Sequence, residues 1–110
     1  MTTRMPSDVE VFAALADDTR WTILQRIGRE GASASTLASE LPVTRQAIVR
    51  HLSVLENAGL AESERFGRER RYTALGVRLS EVGRLLESVG KGWEARMSTI
   101  KAAAERDASH

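Results

Sequence analysis

The sequence predicts a mainly α-helical domain of five helices with one β-hairpin, and three observations predict it. Apolar residues recur three and four apart over most of the chain, the mark of helices with one buried face. Two of these patterns, about 8 and about 14 residues long, are joined by a tight turn at Leu41-Pro42-Val43, and the second opens on polar and basic residues. A stretch suited to strands then folds about Gly67, with arginines loaded at its tip. A helix-turn-helix followed by a basic hairpin is the sequence form of a winged helix-turn-helix.

Ser7 or Asp8 caps the first helix, which runs to about Ala16 with Val9, Phe12 and Leu15 on one stripe. Asp17 caps the second, because an aspartate ahead of a helix accepts backbone N–H bonds and its charge suits the positive end of the helix dipole. Ile23, Leu24 and Ile27 face inward, Trp21 sits near the start, and Gly28 or Gly31 ends the helix. Ser33 or Ser35 caps a short third helix with Leu37, Ala38 and Leu41 inside. Pro42 stops it, since the residue before a proline avoids the helical region. Thr44 caps the fourth helix, through about Asn57, in which Ile48, Leu52 and Leu55 form one buried stripe before Ala58-Gly59 ends it.

Leu60 to Leu75 reads as the hairpin. Phe66, Tyr72 and Thr73 suit strands, Gly67-Arg68-Glu69 makes a loop of about three residues, and Tyr72 anchors the hairpin to the core. From Val77 to about Arg106 a single helix follows. About 30 residues at 1.5 Å each extend about 45 Å, farther than so small a core covers. Leu79, Leu86, Trp93 and Ile100 recur every seven residues, with Val82 and Val89 between them and Leu85 and Met97 alongside, a heptad stripe that asks for a partner helix. Gly83 and Gly90 lie on the same side, where either close helix approach or local looseness accounts for them. The expected partner is a second copy of the chain, joined through Val9, Phe12, Leu79, Val82, Leu86, Val89, Trp93, Met97 and Ile100. Trp93 and Met97 lining a ligand pocket is the competing reading of the same residues.

The 110 residues amount to one domain, divided into a core at 8–76, a long dimerisation helix at 77–106 and flexible ends at 1–6 and 107–110. With 42% apolar and 28% charged residues, the chain belongs with folded globular proteins rather than disordered ones. No apolar run approaches the roughly 20 residues of a spanning helix, and MTTRMPSDVEVF lacks the apolar segment of a signal peptide, so the expectation is a cytoplasmic protein with no membrane partner. Cysteine is absent and His51 and His110 are the only histidines, so no Ser-His-Asp triad, Cys-His pair or glycine-rich phosphate loop can be assembled. An enzyme is excluded. The net charge of +1 is unevenly placed. Residues 1–43 carry four Lys/Arg against six Asp/Glu, residues 44–75 six against four, and residues 76–110 six against five. Within residues 65–71, Arg65, Arg68, Arg70 and Arg71 stand against Glu69 alone.

VFAALADDTR at 11–20 with Ile23 and Leu24, then RQAIVRHL at 45–52 with Leu55, Ala58-Gly59-Leu60, and RFGR at 65–68 with Tyr72, resembles the ArsR family of bacterial winged-helix repressors over about residues 9–90. The resemblance implies a dimer built from the first and last helices, a recognition helix in each major groove, a wing at the flanking minor groove, and repression through an inverted repeat. Three residues depart from the family's pattern: Asp18 stands where proline is usual, Trp21 where arginine is common, and Val49 where a small hydroxyl residue is frequent. The metal-sensing members' ligands are missing. Leu41-Pro42-Val43 occupies the place of the cysteine motif, and no His or Asp lies between Val77 and Glu105. His51 has only Ala47, Ile48, Val54 and Leu55 on its helical face, so it reads as packing or phosphate-contacting. No metal or other cofactor is expected, and no inducer is named by these residues.

Double-stranded DNA is the expected partner, and binding at near-neutral charge requires the cations to converge, because affinity comes largely from neutralising phosphates. Thr44, Arg45, Gln46, Val49 and Arg50 flank the buried stripe of the fourth helix and project toward the major groove. Arg45 suits guanine and Gln46 adenine, Val49 a thymine methyl, and Arg50 a phosphate. Ser33, Ser35 and Thr36 offer hydroxyls and N–H groups to phosphate, with simple capping the alternative for Ser35 and Thr36. Arg65, Arg68 and Arg70 form the wing's share of the surface. The competing class is a winged-helix module whose basic tip meets an acidic protein rather than DNA.

Overall fold

The computed structural model describes residues 5–108. They form α1 (Asp8–Leu15), α2 (Asp18–Arg29), β1 (Ala32–Ser33), α3 (Ala34–Glu40), α4 (Arg45–Asn57), β2 (Ala61–Phe66), β3 (Glu69–Ala74) and α5 (Gly76–Ala108). The sheet is antiparallel in the order β1-β3-β2. The chain divides into two compact units, the first ending at Leu79 and the second beginning at Ser80 within α5.

The starts of α1, α2, α3 and α4 are each closed by a side chain three residues back. Ser7 and Glu10 make a reciprocal capping box on α1, Asp17 accepts from the Arg20 N–H, Ser33 from the Thr36 N–H and Thr44 from the Ala47 N–H. The Arg20 N–H also holds the Asp17 carboxyl below its ordinary pKa, because that bond forms best with the charged carboxylate. The end of α4 is a Schellman motif: Gly59 adopts φ +76°, its N–H donates to the Glu56 carbonyl, and the Leu60 N–H reaches back to the Leu55 carbonyl at 2.9 Å. Leu55 and Leu60 are both fully buried, which supplies the apolar contact that accompanies this cap.

The core of the first unit is built from Val11, Ile23, Leu37, Ile48, Leu52, Leu55 and Leu60, all at or near zero exposure. Tyr72 at 7% exposure joins them from β3, as the hairpin anchor. Burial raises the Tyr72 phenol above its ordinary pKa, and the nearby Glu56 carboxylate adds to the rise. Arg26 ties α2 to α3 through a forked pair with Glu40, Nε to Oε2 at 2.8 Å and Nη2 to Oε1 at 3.1 Å. That pairing holds the Glu40 carboxyl below its ordinary pKa.

The structure departs from the sequence expectations at several edges. A third strand, β1, pairs Ala32 with Tyr72 and Ser33 with Arg71. Two residues carry no periodicity, so only the pairing reveals them. The hairpin turn is the two residues Gly67-Arg68 rather than three, with Phe66 paired to Glu69. Of the two turn residues Gly67 alone has positive φ, at +61°, which matches a type II′ turn and excludes type I′. The helix α2 ends at Arg29 with Glu30 as its cap, ahead of Gly31, and Arg26 Nη1 donates to the Glu30 carbonyl at 2.6 Å. On α1 the buried face is Val11 and Ala14, whereas Val9 is exposed and Phe12 half-buried. Of the expected flexible ends, residues 1–4 and 109–110 lie outside the described residues. Pro6 is held by its carbonyl, which accepts from Arg78 Nη2 at 2.9 Å while the same nitrogen meets Asp8, and 107–108 continue α5.

The second unit is helix throughout its described part, and its long apolar residues are uncovered: Leu86, Val89, Trp93, Met97 and Ile100 are exposed, Trp93 by 65%. Val82 is the exception to the heptad expectation. It is only 2% exposed in the single chain. Leu79, at the end of the first unit, is half-buried.

Candidate nucleic-acid interface

The helix-turn-helix of α3 and α4 meets the β2–β3 wing along a cleft of about 230 Å³, lined by Ser35, Arg45, Val49, Arg65, Arg68, Arg70 and Tyr72 among others. Residues separated by up to 39 positions in the chain, Ser33 to Tyr72, thus face one hollow. Burial of Ile48, Leu52 and Leu55 on one side of α4 turns Arg45, Gln46, Val49 and Arg50 outward on the other, all exposed. Thr44 uses its hydroxyl oxygen on the Ala47 N–H at 3.1 Å.

The wing distributes its charge by strand alternation. Arg65 and Arg70 sit directly opposite each other in the β2–β3 register. Like charges facing across a strand pair repel, so the pair favours an anion beside it. Both line the cleft, with Arg68 at the turn beside them. The next pair, Glu64 with Arg71, is neutral in sum and on the other face. Arg71 there lies over the Phe66 ring, 6.0 Å from its centroid. The four-arginine cluster read from the sequence is therefore split, three toward the cleft and one behind it.

Hydrogen bonds hold three of the cleft arginines, and the shortest-range of them runs from Arg65 Nε to the Gly67 carbonyl at 3.3 Å. Arg45 Nε donates to Ser35 Oγ at 3.1 Å. Arg70 Nη1 donates to Ser63 Oγ at 3.0 Å, and that hydroxyl donates to Glu56 Oε2 at 3.2 Å, so the wing is tied to the last turn of α4. Ser63 and Glu56 were not expected at the site. Strand alternation places Ser63 on the face of Arg65, which is the signal that finds it. Thr36 is exposed, and its Oγ1 accepts from Ser33 Oγ at 3.1 Å. His51 is half-buried, and its Nδ1 lies 3.4 Å from Arg20 Nη1. Arg20 also donates from Nε to the Ala14 carbonyl at 2.8 Å, closing the end of α1. Among the described residues no three of His, Asp and Glu gather as a metal site, and no helix is long and apolar enough to cross a membrane.

A helix-turn-helix whose second helix presents arginine and glutamine beside an arginine-lined wing is a winged-helix DNA-binding module. Residues 15–64 match the family model of a helix-turn-helix domain. The HTH-type transcriptional regulator YuzN of Bacillus subtilis (strain 168) is 42% identical over 67 residues, 54% of this chain and 73% of that one. The solved structure of an ArsR-like transcriptional regulator from Rhodococcus sp. RHA1 is 52% identical and superposes with a TM-score of 0.80, covering 88% of this chain and 92% of that one. A homodimeric winged helix-turn-helix DNA-binding domain, Mb0332 from Mycobacterium bovis, shares the fold at TM-score 0.62 and 20% identity, over 83% of this chain and 91% of that one. The chain belongs to the ArsR family of winged helix-turn-helix transcriptional regulators. It is a DNA-binding transcriptional regulator and not an enzyme.

Proposed function

We propose that this protein is a homodimeric repressor that reads an inverted repeat in double-stranded DNA, acting in the cytoplasm. The observation that carries the reading is the Arg65–Arg70 pair, two like charges set opposite each other on the face that meets the recognition helix α4. Phosphate is the anion that relieves such a pair along a duplex. Arg45 and Gln46 are the base readers, Val49 a contact for a thymine methyl, and Thr44, Thr36 and Arg50 positioning contacts to phosphate. Arg65, Arg68 and Arg70 follow the neighbouring groove and backbone.

The second copy covers the exposed stripe Leu86, Val89, Trp93, Met97 and Ile100 of α5, with Val9, Phe12 and Leu79 at its margin. Seven-residue recurrence supports this, since it is the period that keeps one seam facing a partner helix. The homodimeric state of the Mycobacterium bovis domain supports it too. Two recognition helices in such a dimer sit about 34–36 Å apart, one helical turn of DNA. The test is footprinting on the DNA flanking the coding region. Two protected half-sites related by a dyad are expected; a single unpaired half-site overturns the proposal. An acidic protein partner predicts instead that added duplex leaves the protein's associations unchanged.

A further inference from the structure

Arg45 stands at the first position of α4, and its Nε–H is committed to Ser35 Oγ at 3.1 Å. A guanidinium can bridge the O6 and N7 of guanine either along its Nε edge or through its terminal Nη pair. With Nε engaged, the Nη pair is the fork that remains. Ser35 has no other duty in its own helix. Ser33 is the residue that caps α3, its hydroxyl taking the Thr36 N–H at 3.1 Å, while Ser35 is exposed one position inside the helix. The choice between Ser33 and Ser35 as cap, open in the sequence, falls to Ser33 and leaves the Ser35 hydroxyl to Arg45. An unheld arginine beside Arg65, Arg68 and Arg70 is pushed away by three like charges lining the same cleft. It also has the rotamer freedom of a long side chain to lose on binding.

We propose that Ser35 is a positioning residue that pre-orients Arg45 for base reading, in place of the direct phosphate contact expected for it from the sequence. The inference rests on the DNA-reading function proposed above. Holding Arg45 in the free protein removes part of the ordering cost that binding otherwise meets, and this gain applies only at the base pair Arg45 reads.

The experiment uses the full chain and duplexes selected from a random pool, with dissociation constants measured for the selected sequence and for each single base-pair exchange. Ser35→Ala is expected to reduce discrimination at one guanine of each half-site by about fivefold, the scale of one hydrogen bond, with discrimination elsewhere and the salt slope unchanged. Ser35→Thr restores it. Arg45→Ala abolishes preference at that same position, and Ser35→Ala adds nothing in its presence. A Ser35→Ala variant that weakens all duplexes equally and flattens the salt slope overturns the inference, since that is the behaviour of a phosphate ligand. Unaltered discrimination overturns it as well. A wild-type chain that binds no duplex overturns the DNA-reading function itself, a result distinct from the other two.

Discussion

Arg68→Ala separates phosphate neutralisation from folding more cleanly than any other change at the site. Arg68 is exposed at the second central position of the β2–β3 turn, and Gly67 beside it carries the positive φ, so alanine enters without strain or loss of core. If Arg50, Arg65, Arg68 and Arg70 each neutralise one phosphate in both copies of a dimer, the logarithm of the binding constant falls against the logarithm of salt with a slope of about −7. Removing Arg68 from both copies makes that slope shallower by about 1.8, so the affinity gap between wild type and variant narrows about tenfold between about 50 and about 200 mM salt. Fluorescence anisotropy of a labelled duplex across a KCl series reads the slope, and thermal unfolding run alongside is expected to be unchanged. Parallel salt plots for the two proteins would refute the assignment of Arg68 to the duplex.

Leu86→Asp with Trp93→Asp is expected to leave a folded monomer, because both side chains are exposed in the single chain and a pair of carboxylates on the seam cannot be covered. Sedimentation equilibrium checks it, and a wild-type protein already monomeric at micromolar concentration contradicts it. Gly28→Ala and Gly31→Ala should move stability in opposite directions. An added Cβ at Gly28 meets Ala74 Cβ at an ordinary 3.8 Å inside a helix, for a gain of about 0.5–1 kcal/mol. At Gly31 it comes within 2.9 Å of Arg71 Nε and of Thr73 Cγ2 and 3.1 Å of the Tyr72 carbonyl, for a loss of about 1–3 kcal/mol. Differential scanning calorimetry decides, and equal shifts of one sign would be inconsistent with the packing described. Acid should weaken the fold through Asp17 and Glu40, whose pKa values both lie below the ordinary 3.8 and 4.5. A depressed carboxylate gives stability that is present above the ordinary value and lost as pH falls through the depressed one. Asp17→Asn and Glu40→Gln are therefore expected to flatten the denaturant midpoint between about pH 5 and pH 2, and an unchanged pH profile would remove both groups from the acid response.

Much of this molecule is written in short-range chemistry. Ser7, Asp17, Ser33 and Thr44 each cap a helix by accepting the N–H three residues ahead, and Ile48, Leu52 and Leu55 share a face by helical period alone, so a single chain read in order reveals the helices and their inner sides. The same period turns Arg45, Gln46, Val49 and Arg50 outward, which is why most of the candidate DNA surface was legible before any fold was seen. Alternation along β2 and β3 held the split of the wing arginines, but which strand residues face one another depends on the turn. A two-residue turn rather than a three-residue one sets Arg65 opposite Arg70 and sends Arg71 behind the sheet.

What the tertiary structure alone decided are the contacts between residues on different helices and strands. β1 exists only because Ala32 and Ser33 reach β3, some 40 residues on. Ser35 became a support for Arg45, and Ser63 and Glu56 a tether for Arg70, through hydrogen bonds that no local pattern encodes. Val82 fits the heptad as well as Leu86 does, yet one is buried in the single chain and the other exposed. Sequence periodicity states which side of a helix is apolar; how exposed each residue on that side is follows only from the folded structure.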